Sequence, residues 1–254
     1  MAGGTSGHLI GGALAAVLLG PSAAVIVLCS VLVLQCFLFA DGGITALGAN
    51  LFNMAIVSVV MAGVVYRLVG RAFRGTFRGR LAATAFAAWV STVAASVACA
   101  GELAFSKTVP WRVVFPAMVG VHTLIGLGEA LITTLIVAAV VRLRPELWTD
   151  VPESSSWAAA TDLVVGGLLT ALGLAIFVAP FACGWPDGLE KVADAFGFDR
   201  AAVSGWIPAP WPDYTVPGVP SVVLSTAFAG VLGTLAAFGL AYGLARFLTP
   251  LEKK

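Results

Sequence analysis

The chain has 254 residues, of which 59% are hydrophobic and only 11% are charged, and its mean hydropathy is +0.99. A soluble domain carries about a quarter charged residues, so this composition excludes an ordinary water-soluble protein. The net charge of +1 argues against a nucleic acid as partner, because phosphate binding needs a concentrated basic surface.

Apolar runs of membrane-spanning length recur along the chain. A helix needs about 18 or more apolar residues to cross the hydrocarbon core. The six clear runs are residues 22–39, 51–69, 81–100, 113–141, 163–182 and 222–248. A shorter run, residues 9–20, precedes Pro21 and is interpreted as one helix of a packed hairpin. The sequence therefore predicts an all-α, polytopic transmembrane helix bundle of about six to seven helices.

The distribution of arginines predicts the orientation of this bundle. Five of the fourteen basic residues lie in one short segment, namely Arg67, Arg71, Arg74, Arg78 and Arg80. Basic loops stay in the cytoplasm, so this segment is expected there, either anchoring the bundle at anionic lipid headgroups or docking a partner. Alternating spans then place the C-terminus in the cytoplasm of a multi-pass cell (inner) membrane protein. Outside lie the N-terminus with His8 and the loops 41–50, 101–111 and 183–220.

His8 ends a small, polar segment immediately before the first apolar run. A neutral imidazole at this position can ligate a transition metal ion. The alternative is a histidine that only hydrogen-bonds at the entry to a helix.

The segment 39–50 is rich in glycine and runs directly into an apolar span. Glycines permit tight backbone geometry at membrane depth, which is tolerated only where the backbone is buried in protein or lines a cavity. The segment predicts a substrate-lining loop with Asp41, Asn50 and Asn53 as its polar side chains. A plain connection between helices would have similar turn residues and remains the alternative.

His122 and Glu129 form an intramembrane polar pair in the long run 113–141. They are seven residues apart and share a helix face, with Gly126 between them. An ionisable residue within a span is expensive and usually faces the bundle interior. The pair predicts either a polar lock between helices or part of a proton or ion pathway. No HExxH motif is present, which weakens an enzymatic interpretation, and without a GxxxxGK[ST] motif any ATP must be bound by another subunit.

The last third of the chain has a different organisation. A polar linker around residues 145–156 leads into a helix, a hydrophilic external loop and a final helix. The loop begins with Trp185-Pro-Asp-Gly-Leu-Glu-Lys191 and continues to a Pro- and Trp-rich stretch, 206–212, which is too broken for a helix and suits a membrane interface. We predict two domains, a permease bundle over 1–148 and a two-helix domain with an extracytoplasmic loop over 149–254.

Three segments, in order, resemble the CbiM/NikM family: Gly4-Thr-Ser-Gly-His-Leu9, Phe39-Ala-Asp-Gly-Gly-Ile-Thr-Ala-Leu-Gly-Ala-Asn50 and His122-Thr-Leu-Ile-Gly-Leu-Gly-Glu-Ala-Leu-Ile-Thr133. The part around Pro186-Asp-Gly-Leu-Glu190 resembles the PDGLE domain, a CbiN-like appendage of such proteins. Together these resemblances extend over nearly the whole chain.

The resemblance implies a substrate-capture subunit of an energy-coupling factor importer, with no permanent cofactor and no enzymatic activity of its own. Such a subunit binds Co²⁺ or Ni²⁺ near its outer face. A separate transmembrane coupling subunit and a pair of ATPase subunits then drive it to deliver the ion inward. His8 matches one of the family's metal ligands.

One departure from the family pattern affects this expectation. The family begins with Met-His-(Ile/Val)-Pro-(Asp/Glu)-Gly, which supplies most of the metal ligands, whereas this sequence begins with Met1-Ala2-Gly3. We therefore expect either a chain recorded from a late start or a truncated paralogue, with weak metal binding by itself. Two other functions stay open: an ion- or proton-coupled secondary transporter using His122, Asp162 and Glu129, and a non-transporting membrane scaffold.

Overall fold

The computed structural model describes residues 9–73, 76–143, 157–182, 186–198 and 208–248. For residues 157–160, 162 and 163 only the backbone is described. His8, Arg74 and Trp206 lie outside these ranges.

The described residues are mostly helical and contain no strand in these ranges. Its elements are α1 (Gly12–Leu19), α2 (Pro21–Phe39), α3 (Gly43–Asn50), a π-helical segment (Leu51–Val57), α4 (Ser58–Ala72), α5 (Phe77–Phe105), α6 (Trp111–Leu143), α7 (Trp157–Phe177), α8 (Gly188–Phe196) and α9 (Val222–Leu248), with short 3₁₀ turns at Ala179–Phe181 and Pro212–Tyr214. Six helical stretches within the described ranges are long and apolar enough to cross a membrane. The predicted all-α, polytopic transmembrane helix bundle is confirmed.

The predicted loop over residues 39–50 is wrong in its extent. Only residues 40–42 connect α2 to α3, with left-handed backbone at Ala40 (φ 58°) and Gly42 (φ 83°). From Gly43 the chain is continuously helical to Ala72, so Asn50 and Asn53 are helical residues. Within a membrane a helix satisfies every backbone polar group internally, which outweighs the low helix propensity of the glycines.

The first apolar run also forms less helix than its length suggests. The helix α1 has eight residues, a length of about 12 Å, whereas the hydrocarbon core is about 30 Å thick. It is therefore not a membrane span by itself. It packs against α4 and α5, and Gly12 lies directly against the side chain of Ser58.

Two compact units divide the described residues. The first comprises 9–32, 45–73, 76–139 and 186–198, and the second comprises 33–44, 140–143, 157–182 and 208–248.

Small side chains form the core of the first unit, where α4 and α5 pack along their length. Ala13, Ala55, Ala62, Ala87 and Ala88 have no exposed surface. Small residues let helix backbones approach closely where lipid supplies no hydrophobic drive for association. In the second unit α7 packs against α9.

The external loop predicted over 183–220 contains a helix that the sequence interpretation missed. Asp187 caps α8: its carboxylate accepts from the Glu190 N–H at 2.8 Å, and the Glu190 carboxylate accepts from the Asp187 N–H at 2.9 Å. This reciprocal capping box is a recognisable helix start. The helix ends at Gly197, which has a left-handed backbone (φ 71°).

Candidate functional site

Glu129 is the most heavily engaged of the predicted site residues. Its side chain is 2% exposed and accepts from three donors. Oε1 lies 2.9 Å from the Gly11 backbone nitrogen, and Oε2 lies 3.1 Å from the Ile10 nitrogen. The Thr92 hydroxyl is 3.1 Å from Oε2. These contacts connect α6 to α5 and to the residues that precede α1. Such hydrogen bonds between helices are what the polar-lock interpretation of Glu129 predicts.

The lock lies deep in the first unit. Glu129 is about halfway along α6, and Thr92 is about halfway along α5. The chain that enters α1 is therefore held at mid-length of two membrane-spanning helices, and α1 begins inside the bundle. Non-helical backbone at membrane depth is tolerated where it is buried in protein, and Glu129 bonds the two residues that precede α1.

One turn nearer the start of α6, the helices α5 and α6 approach closely. The indole N–H of Trp89 donates to the Thr123 carbonyl at 3.2 Å. A Cβ at Gly126 would lie 3.0 Å from Trp89 Cδ1 and 3.3 Å from the Trp89 carbonyl oxygen. Gly126 therefore permits the approach that carries Thr92 to Glu129.

His122 has partners different from those of Glu129. Its Nδ1 lies 2.8 Å from the Met118 carbonyl oxygen, which can only accept, so Nδ1 carries a proton. The ring packs against Gly188, where a Cβ would lie 2.8 Å from Cε1 and 2.9 Å from Nε2 of the imidazole. The structure therefore does not bring His122 and Glu129 together, although both lie on one face of α6.

Gly188, the glycine of the PDGLE motif, thus packs directly against α6. The apolar side of α8 continues this contact, because Val192 is buried in a cluster with Ala100, Val114 and Met118. Leu189 packs against the same cluster. The motif therefore starts a capped helix that packs against α5 and α6 within the first unit.

Asn53 pairs with a residue that the sequence interpretation did not select. Its side chain is 5% exposed, and Nδ2 donates to Glu102 Oε2 at 2.8 Å. A carboxylate only accepts, so the amide must point its nitrogen at Glu102. Oδ1 then has no hydrogen-bond partner among the described residues. The signal for Glu102 was a lone acidic residue two positions beyond an apolar run.

Asn50 lies one turn earlier than Asn53 on the same continuous helix and is half-buried. Its helical position follows from the shortened connection described above, so it does not belong to a loop.

Asp41 belongs to the second unit, where an aromatic side chain binds it. The Tyr214 hydroxyl donates to Asp41 Oδ2 at 2.8 Å, and Gln35 Nε2 lies 3.2 Å from the same hydroxyl oxygen. Phe39 stacks on the Tyr214 ring with centroids 4.4 Å apart. Burial raises the pKa of Tyr214, and the negative charge of Asp41 raises that pKa further. Nothing in the sequence around Tyr214 marked it as a partner of Asp41.

Backbone strain is concentrated at this contact. Ala40, Asp213 and Tyr214 all have left-handed backbone, with φ values of 58°, 53° and 57°. Such conformations are costly for residues other than glycine and persist only where surrounding contacts hold them. The connection after α2 is therefore held in one conformation by the 211–214 segment.

No group of three His, Cys, Asp or Glu residues in the described ranges stands close enough to hold a metal ion. His8, the predicted ligand, lies outside those ranges. Its role as a ligand stays a prediction.

Comparison with known proteins identifies the family. The family model described as the cobalt uptake substrate-specific transmembrane region (CbiM) matches residues 1–147, and that of the PDGLE domain matches residues 161–250.

Relatives match along nearly the whole chain. A protein of Archaeoglobus fulgidus, provisionally named fused nickel transport protein NikMN, is 36% identical over 96% of this chain and 79% of its own length. The fused nickel transport protein NikMN of Rhodobacter capsulatus is 31% identical over 95% of this chain and 80% of its own length.

Other similarities are confined to one part of the chain. The cobalt transport protein CbiM of Kyrpidia tusciae is 33% identical over 57% of this chain and 60% of its own length. A crystal structure described as a truncated transition metal transporter superposes with a TM-score of 0.50 and 35% identity, over 56% of this chain and 71% of that one. The chain belongs to the CbiM family of cobalt-uptake substrate-specific transmembrane proteins, and it is a multi-pass membrane protein of the cobalt and nickel transport class that carries a PDGLE domain.

Proposed function

We propose that this protein is the substrate-capture subunit of an energy-coupling factor importer for Ni²⁺ or Co²⁺. It captures the ion at the outer face of the cell membrane. A separate transmembrane coupling subunit and separate ATPase subunits supply the energy. The observation that carries the proposal is the alignment of 95% or more of the chain with two relatives named as fused nickel transport proteins.

In this proposal His8 is a metal ligand, and Asp41, Asn50 and Asn53 line the path of the ion. One contact supports the choice of Asn53. Asn53 retains a buried amide oxygen without a partner among the described residues, next to the carboxylate of Glu102. Amide and carboxylate oxygens can both ligate divalent cations.

The proposed orientation rests on the ends of the spanning helices. Arg67 and Arg71 lie in the last turns of α4, Arg78 and Arg80 lie in the first turn of α5, and Arg142 lies in the last turn of α6. Under the positive-inside rule all of these ends are cytoplasmic. The N-terminus and the PDGLE loop are then extracytoplasmic, and the C-terminus is cytoplasmic.

The domain assignment is likewise proposed: 1–148 forms the substrate-specific bundle, and 149–254 forms the PDGLE domain. The two family models match within these limits at residues 1–147 and 161–250. The compact units interleave the two segments, because residues 186–198 pack in the first unit and residues 33–44 belong to the second.

The proposal is tested by uptake of Ni²⁺ and Co²⁺ into cells that co-express this chain with the coupling and ATPase subunits of such an importer. Uptake should require an active ATPase and should fall to background for His8→Ala. Uptake that persists without the ATPases and collapses with the proton gradient would identify a secondary transporter instead. Unchanged uptake by His8→Ala would refute the ligand assignment. No uptake of either ion by the unaltered chain would favour a scaffold.

A further inference from the structure

The N-terminus of α1 has no cap of its own. Gly11 precedes the helix with a left-handed backbone (φ 72°), and no side chain of its own segment accepts from the first free N–H groups. Glu129, 118 positions away in sequence, accepts from the N–H groups of Gly11 and Ile10. Consecutive N–H groups that converge on one carboxylate form a compact anion-binding arrangement. Glu129 of α6 therefore anchors the two residues that lead into α1, rather than the N–H groups of its first turn.

The carboxylate has a second support from α5. The Thr92 hydroxyl lies 3.1 Å from Glu129 Oε2 and 3.0 Å from the Ala88 carbonyl oxygen, and its single proton is shared between these two acceptors. Thr92 is 1% exposed. A buried carboxylate with donors on both oxygens has a fixed position, because any rotation leaves buried groups without partners.

These contacts fix a peptide that lies two residues after His8 in the sequence. Ile10 is two residues after His8 in sequence, so a fixed peptide at residues 10 and 11 limits where the histidine side chain can reach. Selectivity among divalent transition metals depends on the geometry of the ligands as well as on their type. Residues that hold ligands in place influence affinity strongly, and their substitution typically costs about 10- to 100-fold in metal affinity or activity.

We propose that Glu129, supported by Thr92, is a positioning residue for metal capture, because it anchors the backbone that follows His8. This inference rests on the proposed function, since it assigns a role relative to the metal ligand. Glu129 does not touch the ion. It acts through the backbone N–H groups of Ile10 and Gly11.

Two substitutions test the anchor by different routes. Glu129→Gln replaces one carboxylate oxygen with an amide NH₂ group, which opposes the N–H donor of Ile10 or Gly11 and disrupts the anchor. Thr92→Val removes only the supporting hydroxyl. Thr84→Val is the matched control, because Thr84 is also a buried α5 threonine whose hydroxyl bonds a carbonyl four residues earlier, at 2.9 Å. Thr92→Ser retains the hydroxyl and should restore wild-type behaviour.

The measurements are the KM for Ni²⁺ and Co²⁺ uptake in the full importer and hydrogen exchange in the purified chain. For Glu129→Gln we expect the KM to rise about 10- to 100-fold. The ratio of the Ni²⁺ and Co²⁺ KM values should also change several-fold, and amide exchange at Ile10 and Gly11 should accelerate. Thr92→Val should show the same changes at smaller size, and Thr84→Val should show none. A merely lower folded fraction would reduce uptake of both ions equally and leave their ratio unchanged.

The outcomes separate this inference from the proposed function. If His8→Ala abolishes uptake while Glu129→Gln and Thr92→Val retain wild-type KM values and ion ratio, the positioning role is refuted and the capture function stands. If His8→Ala takes up metal normally, the ligand assignment fails and this inference fails with it, while the transport function stands. If the unaltered chain takes up neither ion, the proposed function itself fails. If Glu129→Gln does not fold, Thr92→Val against Thr84→Val decides the question.

Discussion

At the scale of single residues, the glycines of α6 have unequal roles. Gly126 is buried, and a Cβ there would approach the Trp89 side chain to 3.0 Å and its carbonyl oxygen to 3.3 Å. Gly128, two positions later, is exposed and has open space around its Cα. Both glycines lie in the same helix, so the packing around each one decides whether a side chain can replace it.

These two glycines allow a matched test of the α5–α6 contact. We expect Gly126→Ala to lower the free energy of unfolding by about 1–3 kcal/mol, because the added methyl group forces Trp89 or the helix backbone to move. Gly128→Ala should leave it unchanged or raise it by up to about 1 kcal/mol, because alanine is the better helix former. Unfolding in detergent measures both variants. Equal effects would show that α5 and α6 do not approach closely at Gly126.

At the scale of elements, α8 is a short helix held by one close contact and one apolar cluster. Its capping box starts the helix at Asp187, and Gly188 then meets His122 and Ile125. Any side chain at Gly188 would overlap the imidazole. The backbone of Gly188 has ordinary helical geometry, so its conformation does not require glycine. Glycine is required there because a side chain would overlap His122.

A double-mutant cycle tests the packing contact between Gly188 and His122. Gly188→Ala should weaken the docking of α8 and increase hydrogen exchange across residues 188–196, because the new methyl group would lie 2.8 Å from His122 Cε1. Helix propensity alone would have the opposite effect, since alanine favours helix over glycine.

His122→Ala should relieve the overlap, so the double variant should recover part of the lost protection. If the losses of exchange protection in the two single variants simply add in the double variant, Gly188 does not pack against His122.

At the scale of the whole molecule, most basic residues of α4, α5 and α6 lie towards one end of these helices, namely Arg67, Arg71, Arg78, Arg80 and Arg142, whereas Arg112 lies at the other end. Arg78 in α5 and Arg142 in α6 lie at the end away from the short α5–α6 connection, which contains Ser106 and Lys107. This asymmetry predicts that the α5–α6 connection is extracytoplasmic.

Cysteine labelling tests the orientation directly. In a chain with its four native cysteines replaced, Ser106→Cys should react with a membrane-impermeant maleimide in intact cells, since Ser106 is exposed. Arg78→Cys, also exposed, should react only after permeabilisation. The reverse pattern would overturn the proposed orientation.

The sequence predicted several features correctly for local reasons. Composition and run length are properties of neighbouring residues, so the membrane class, the all-α fold and the long spans were accessible without a structure. The family was accessible because its motifs are contiguous. Errors occurred where local signals competed: glycines suggested a loop over 43–50, and a hydrophilic stretch concealed α8.

Sequence alone thus determined that this protein is a helical, multi-pass membrane protein of a cobalt and nickel transport family. Only the tertiary structure decided which polar residues meet. Glu129 joins Gly11 across 118 positions, Asn53 joins Glu102 across 49, and Asp41 joins Tyr214 across 173. The reason is physical: a buried polar side chain needs a partner, but its own helix neighbours are already bonded to each other, so the partner comes from whichever element packs against it.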